Sequence, residues 1–291
     1  MKKLLLPFLI IAIQFGLTSC SKDTDSVIEE TVTEAETFLD VSYGAHPAET
    51  YDLYLPKNRA TDKTKVIALV HGGGWTTGDK DDVALYIPYL QQKHPDYAIV
   101  NINYVLADEN TPAFPNQILN IAAVLDKLTD EKKELQILPE FALIGVSAGA
   151  HLSLLYDYVY DADDHVKLVA DIVGPTDFTD PNYTPSTDLP TLIALMVDES
   201  AYPPGTNYVE VLSPALQVST VSSPSLLFYG NADPLVPLSN AITLNEALNT
   251  HEIDHNFNVY EGGHANWATN DVDDMLNQIS DYINRYLEIE K

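Results

Sequence analysis

The sequence is short of several things. It holds a single cysteine, Cys20, among 291 residues, so no intrachain disulfide can form and the fold must rest on its core. Basic residues are scarce: 15 Lys and Arg stand against 43 Asp and Glu, a formal net charge of -28 at pH 7. A surface of that sign repels phosphate backbones, which excludes nucleic acid as a partner, and it disfavours polyanionic substrates. Internal repeats are lacking, and so are low-complexity blocks past the N-terminal segment. The pairing of lysine with Ser or Thr that closes a phosphate-binding loop is missing after the glycine run at 72–74, and G-x-G-x-x-G is not completed there.

What is there begins with a leader. MKKLLLPFLIIAIQFGLTSC has two lysines, an apolar run and a small-residue end, the pattern of a secretory signal rather than a spanning helix. Its last four residues, Leu17 to Cys20, resemble the lipobox of bacterial lipoproteins. That resemblance implies cleavage before Cys20, acylation of its thiol, and a chain anchored by lipid in a bacterial cell envelope, on the periplasmic or surface face. Residues 1–19 are thus expected to be a signal peptide. Residues 20–36 are polar and acidic without apolar periodicity, and are expected to form a tether. Residues 37–291 are long enough for one large α/β domain.

Within that domain apolar runs alternate with helical patterns, the βαβ signature of a mostly parallel sheet. Strands are predicted at 37–43, 50–55, 65–71, 97–104, 141–146, 166–173, 224–230 and 256–262. Helices are predicted near 82–93, 116–128, 148–160, 238–250 and 271–287. GAHPAE, between the first two strands, is too short for a crossover, so that pair is expected to be antiparallel and the remaining strands parallel. Residues 174–223 are rich in Pro, Thr, Asp and Tyr without clear periodicity, and form a candidate lid or substrate-facing insert.

LIGVSAGAHLSLL, residues 143–155, sets Ser147 between two glycines where a buried strand turns into a helix. Small residues let so sharp a bend close, and the residue at its tip projects out of the sheet. A serine hydroxyl needs a base beside it to act as a nucleophile. Of eight histidines, His264 follows the last strand in YEGGHANW, where Gly262 and Gly263 let the loop bend over the sheet edge. His151, one turn past Ser147, reads as a packed or exposed helix residue, and His251 and His255 read as surface residues. Asp233, in LLFYGNADPLVP, follows a strand end and is placed to orient an imidazole. In HGGGW, Gly73 and Gly74 present bare backbone N–H groups which, with the amide of Ala148, would stabilise a developing oxyanion. His71 reads as a brace for that loop. The acidic cluster DADDH (161–165) lacks the spacing of a calcium loop and reads as a solvated turn.

YDLYLP (51–56), HGGGWTTGD (71–79), NINYVLADENTPAFPNQILN (101–120), GVSAGAH (145–151), YGNADPLVP (229–237) and EGGHANW (261–267) together resemble the α/β-hydrolase superfamily. The resemblance is to its hormone-sensitive-lipase-like carboxylesterases and bacterial feruloyl-esterase-like enzymes, and it covers residues 38 to 287. It implies an α/β-hydrolase fold with a mostly parallel eight-stranded sheet, an antiparallel N-terminal strand pair, helices on both faces and no large cap domain. It also implies a serine ester hydrolase without cofactor or metal, with Ser147, Asp233 and His264 as its triad. Two positions depart from the family pattern: Val105 stands where an arginine is common, and Ala150 where a second glycine is. The substrate expected is a short-chain or carbohydrate-linked ester, acetyl or feruloyl. Trp75, Tyr183, Tyr202 and Tyr208 are candidates to stack on sugar or aromatic acid, though scattered surface tyrosines are the plainer reading. A serine peptidase on short peptides and a surface binding lipoprotein without activity are the alternatives. The oligomeric state is open.

Overall fold

The computed structural model describes residues 33–183, 192–193 and 195–289. The expected signal segment, most of the tether and Cys20 lie outside them. Eight strands form one sheet: β1 (Glu36–Ser42), β2 (Thr50–Leu55), β3 (Val66–Val70), β4 (Ala98–Ile102), β5 (Phe141–Val146), β6 (Val166–Ile172), β7 (Ser225–Gly230) and β8 (His255–Tyr260). Their order across the sheet is β1-β2-β4-β3-β5-β6-β7-β8. Five main helices accompany them: α1 (Ile87–Lys93), α2 (Asn116–Asp130), α3 (Ala148–Leu155), α4 (Leu238–Thr250) and α5 (Thr269–Tyr286).

The strands after the first pair, β3 to β8, are all parallel, as expected. β2 runs antiparallel to β4 as well as to β1, and parallel pairing begins at β4–β3. The connection from β2 to β3 spans residues 56–65 and contains only turns, too little chain for the helical crossover a parallel pairing needs.

β3 shows how the core is built. VIALV is buried at all five positions. Val66, Ala68 and Val70 point to one side of the sheet and Ile67 and Leu69 to the other, which is why a central strand reads as an unbroken apolar run. On the first side lie Ile118, Ile121 and Val124 of α2, Leu152 and Leu155 of α3, and Ala241, Leu244 and Leu248 of α4. On the second lie Ile87 and Leu90 of α1 and Met275, Ile279 and Ile283 of α5.

Two predicted helices differ in form. The 82–93 segment opens with short 3₁₀ turns at Lys80–Asp82 and Ala84–Tyr86 before α1 starts. Pro88 in the first turn of α1 fixes where a regular helix can begin. The 148–160 segment is α-helical to Leu155 and then widens into a π turn over Tyr156–Tyr160. The described parts of 174–223 are short turns folded against the core: Phe178, Leu212 and Ala215 are buried, and Ser213 accepts from the Phe178 N–H at 2.8 Å.

Candidate active site

β5 delivers Ser147 to the carboxyl edge of the sheet, and α3 leaves at once. Ser147 sits at φ 53°, ψ -119°, a costly conformation for a residue with a side chain. The surroundings hold it there. Its N–H donates to the Ile172 carbonyl at 2.8 Å, and its own carbonyl accepts from the Ala150 and His151 amides at 3.0 and 3.1 Å. The flanking glycines are required by close approach. A Cβ on Gly145 would lie 2.5 Å from the Ala150 nitrogen, and one on Gly149 would lie 2.3 Å from both the Val70 and His71 carbonyl oxygens. The helix start is thus pressed backbone to backbone against the end of β3.

Asp233 and His264 stand on two loops stitched together. The Ala232 N–H donates to the Gly262 carbonyl at 2.9 Å, and the Gly262 N–H to Asn231 Oδ1 at 3.2 Å. Gly230 has no room for a Cβ, which would fall 2.2 Å from the Gly263 carbonyl oxygen. Across this seam His264 Nδ1 lies 2.7 Å from Asp233 Oδ2, and His264 Nε2 lies 2.9 Å from Ser147 Oγ. The other Asp233 oxygen accepts from the Leu235 and Val236 amides at 2.8 and 3.0 Å. Burial alone would push the Asp233 carboxyl up; the hydrogen bonds from His264, Val236 and Leu235 outweigh it and hold the acid below its ordinary range. An ionised Asp233 keeps the proton on Nδ1 and leaves Nε2 free to accept from the serine hydroxyl.

Gly73 and Gly74 adopt φ of 116° and 55° and line a cavity of about 400 Å³ together with Ser147 and His264. Among the described residues neither glycine N–H donates to a backbone carbonyl. Ala148 is the first residue of α3, so its N–H is one of the orphan donors at a helix start, where the dipole favours negative charge. A carbonyl seated between these amides and Ser147 would meet a nucleophile, a base and donors for the oxygen that gains charge.

His71 braces this loop. Its Nδ1 lies 2.7 Å from the Gly72 carbonyl oxygen, and its ring stacks on Tyr104 at 4.2 Å between centroids. Trp75 is not a substrate platform. It is 4 % exposed and sits edge-on to Phe114, His151 and Phe178. Its indole N–H donates to His151 Nδ1 at 3.3 Å, and its carbonyl accepts from Gln117 Nε2 at 2.7 Å. His151 is fully buried, its Nε2 2.8 Å from the Leu212 carbonyl oxygen. Tyr183, Tyr202 and Tyr208 pack partly buried against the core; the Tyr183 hydroxyl donates to Asn240 Oδ1 at 3.0 Å, and Tyr202 and Tyr208 meet edge to face. None of the four is among the cavity's lining residues. His251 and His255 are half-buried rather than on the surface, each ring within 3.0 Å of a main-chain carbonyl oxygen. At the departures from the family pattern, the Val105 N–H donates to Asn120 Oδ1 at 2.9 Å, and the Ala150 backbone takes up the space a Gly145 side chain would need.

Sequence reasoning missed Asp82, Val83, Tyr86, Val146, Leu235 and Ala265, which complete the cavity wall. Asp82, Val83 and Tyr86 carry no motif and stand on and between the short 3₁₀ turns before α1.

A second omission lies beneath the elbow. Tyr229 Oη is 2.5 Å from Asp171 Oδ2 and 2.6 Å from the Gly174 carbonyl oxygen. The one phenol hydrogen lies within reach of both acceptors. Burial pushes the Asp171 carboxyl up to about 7, against hydrogen bonds from Tyr229 and the Gly174 N–H that pull it down. Because the folded value lies above the unfolded one, the stability this group confers is full below the unfolded pKa of about 3.9 and lost as pH rises through about 7. Asp171→Asn cannot ionise, so its stability relative to the wild type should climb between pH 4 and 8. Urea unfolding at both pH values checks this; a constant difference would mean that Asp171 is ionised throughout.

The geometry has counterparts among known proteins. A model of the BD-FAE family matches residues 51–248. The chain belongs to the BD-FAE family. The matched stretch of this BD-FAE chain holds Ser147 and Asp233 and stops short of His264. A probable carboxylic ester hydrolase, LipM, of Mycobacterium tuberculosis is 28% identical over 224 residues, covering 69% of this chain and 49% of that one. Esterase LipC of the same organism is 24% identical over 226 residues, 72% of this chain and 54% of the other. The chain thus spans about half the length of these curated relatives. A truncated carbohydrate esterase from gut microbiota superposes with a TM-score of 0.68 at 21% identity, covering 87% of this chain and 98% of its own. The architecture is the α/β-hydrolase fold.

Proposed function

We propose that the protein is a serine carboxylic-ester hydrolase working through an acyl-enzyme on short-chain or carbohydrate-linked esters, acetyl or feruloyl. The observation that carries this is the hydrogen-bonded chain from Ser147 Oγ through His264 to Asp233, opening on a cavity lined by Gly73 and Gly74. Its kinship with proteins named as ester hydrolases supports the same reading.

The reaction follows from the placement of protons. Ser147 Oγ attacks the ester carbonyl carbon as its hydrogen passes to His264 Nε2. The carbonyl electron pair moves to oxygen, where the amides of Gly73, Gly74 and Ala148 stabilise it. The carbon–oxygen bond to the alcohol then breaks, and the alcohol leaves with the proton from Nε2. Water repeats the sequence on the acyl-serine, giving up a proton to His264 and releasing the acid. Asp233 remains ionised and steadies the imidazolium. The fold lies in the envelope, tethered to a membrane through acylated Cys20, each buried methylene adding about 0.8 kcal/mol of attachment.

A panel of p-nitrophenyl esters of rising chain length, with acetylated and feruloylated sugars, tests substrate and anchor together when run on membrane and soluble fractions. Acetate and butyrate esters are expected to outpace laurate, with the activity in the membrane fraction. Absence of ester turnover sinks the hydrolase reading, and recovery of the wild type in the soluble fraction sinks the anchor.

A further inference from the structure

The cavity wall carries an uneven charge. Of its lining residues Asp82 alone bears a fixed charge at neutral pH; Val83, Tyr86, Val146, Leu235 and Ala265 are uncharged, and no lysine or arginine is among them. The nearest lysine in sequence is turned away. Lys80 points inward, its Nζ 3.0 Å from Asp40 and 3.3 Å from Asp52, and it is 7 % exposed. Asp82 is held in place by the 3₁₀ turn it ends: its Oδ2 accepts from the Asp79 N–H at 3.0 Å, and Asp79 in turn accepts from the Asp81 N–H at 2.9 Å. The Asp82 side chain is therefore anchored at the wall and exposed to solvent, and among the described residues it forms no ion pair. Any ester whose carbonyl reaches Ser147 places its remaining groups in the field of that carboxylate.

We propose that Asp82 is a charge filter on the substrate, admitting esters with a neutral or cationic alcohol and rejecting those whose alcohol carries a carboxylate or other anion. This rests on the ester-hydrolase reading of the same cavity. It narrows the carbohydrate class to neutral or amino sugars and excludes uronates. The net charge of the chain works in the same direction at long range, while Asp82, though exposed, acts from the cavity wall itself. At the effective dielectric of a half-open cavity a single carboxylate separates anionic from cationic substrates by about tenfold.

The test uses three aryl acetates that share one acyl group and differ in the para substituent of the phenol: a carboxylate, its methyl ester and a trimethylammonium group. Each kcat/KM is divided by the rate of hydroxide-catalysed hydrolysis to remove intrinsic reactivity. The wild type should favour the cationic over the anionic ester by about tenfold. Asp82→Asn, which keeps an oxygen acceptor for the Asp79 amide, should reduce that preference to near unity, while Asp81→Asn, on the same turn and outside the cavity lining, should leave it unchanged. Should Asp82→Asn fail to fold, Asp82→Ser takes its place with the same expected loss of preference, and the wild-type preference should also shrink on going from about 10 mM to about 1 M salt. Equal preference in wild type and Asp82→Asn, an Asp81→Asn effect as large as that of Asp82→Asn, or a salt-independent ratio in the wild type each overturns the proposal while leaving the hydrolase standing. Failure of the wild type to turn over even the neutral ester overturns both.

Discussion

Ser147→Ala is expected to lower ester turnover on the order of 10⁶-fold, leaving the fold in place. The hydroxyl makes one hydrogen bond, to His264 Nε2, and its removal should cost no more than about 1 kcal/mol of stability. Alanine does not relieve the strained φ of 53°, so no compensating gain is expected either. The measurement is kcat/KM on p-nitrophenyl acetate with circular dichroism and thermal unfolding alongside. A native-like variant that keeps a hundredth of the wild-type rate would exclude Ser147 as nucleophile. That result would point to another attacking group.

Asp233→Asn should cost about 10⁴-fold in kcat, for a reason that lies in tautomers more than in charge. The Asp233 oxygen that faces His264 only accepts; an amide nitrogen in its place would donate toward His264 Nδ1. The ring proton would then move to Nε2, which would donate to Ser147 Oγ instead of accepting from it. The second oxygen could remain an acceptor for the Leu235 and Val236 amides, so the turn should survive. An Asp233→Ala variant should be as slow and less stable, because it also leaves those two amides without their partner. If Asp233→Asn retained full kcat while Asp233→Ala lost it, the acid would be a loop anchor and nothing more.

The architecture was legible because its central strands, β3 to β7, are buried on both sides. Runs such as VIALV and FALIGV can hardly be anything but central strands, and all eight lie within a residue or two of their expected positions at most ends. The antiparallel seating of β2 against β4 was not legible, since it depends on what a turn-only connection at 56–65 can span rather than on the composition of either strand. Ser147, Asp233 and His264 were recognisable from local chemistry: each stands beside glycines or a proline at a strand end, and chain order did the rest. Trp75 misled because it follows Gly73 and Gly74 in sequence, while its side chain packs with Phe114 and Phe178. The cavity wall was invisible for the opposite reason. Asp82, Val83 and Tyr86 carry no motif, and their place on the wall depends on where the turns before α1 pack.

The contact of Gly149 with the carbonyls of Val70 and His71 has a consequence for the history of such a protein. The segment after Ser147 and the end of β3 meet through main-chain atoms, so their relative position depends on glycine being kept at 149 and on no other side chain in the contact. Residues 82, 86 and 235, also on the cavity wall, sit on turns outside that contact. New substrates can therefore be acquired by changing those turns alone, with the reactive machinery inherited intact.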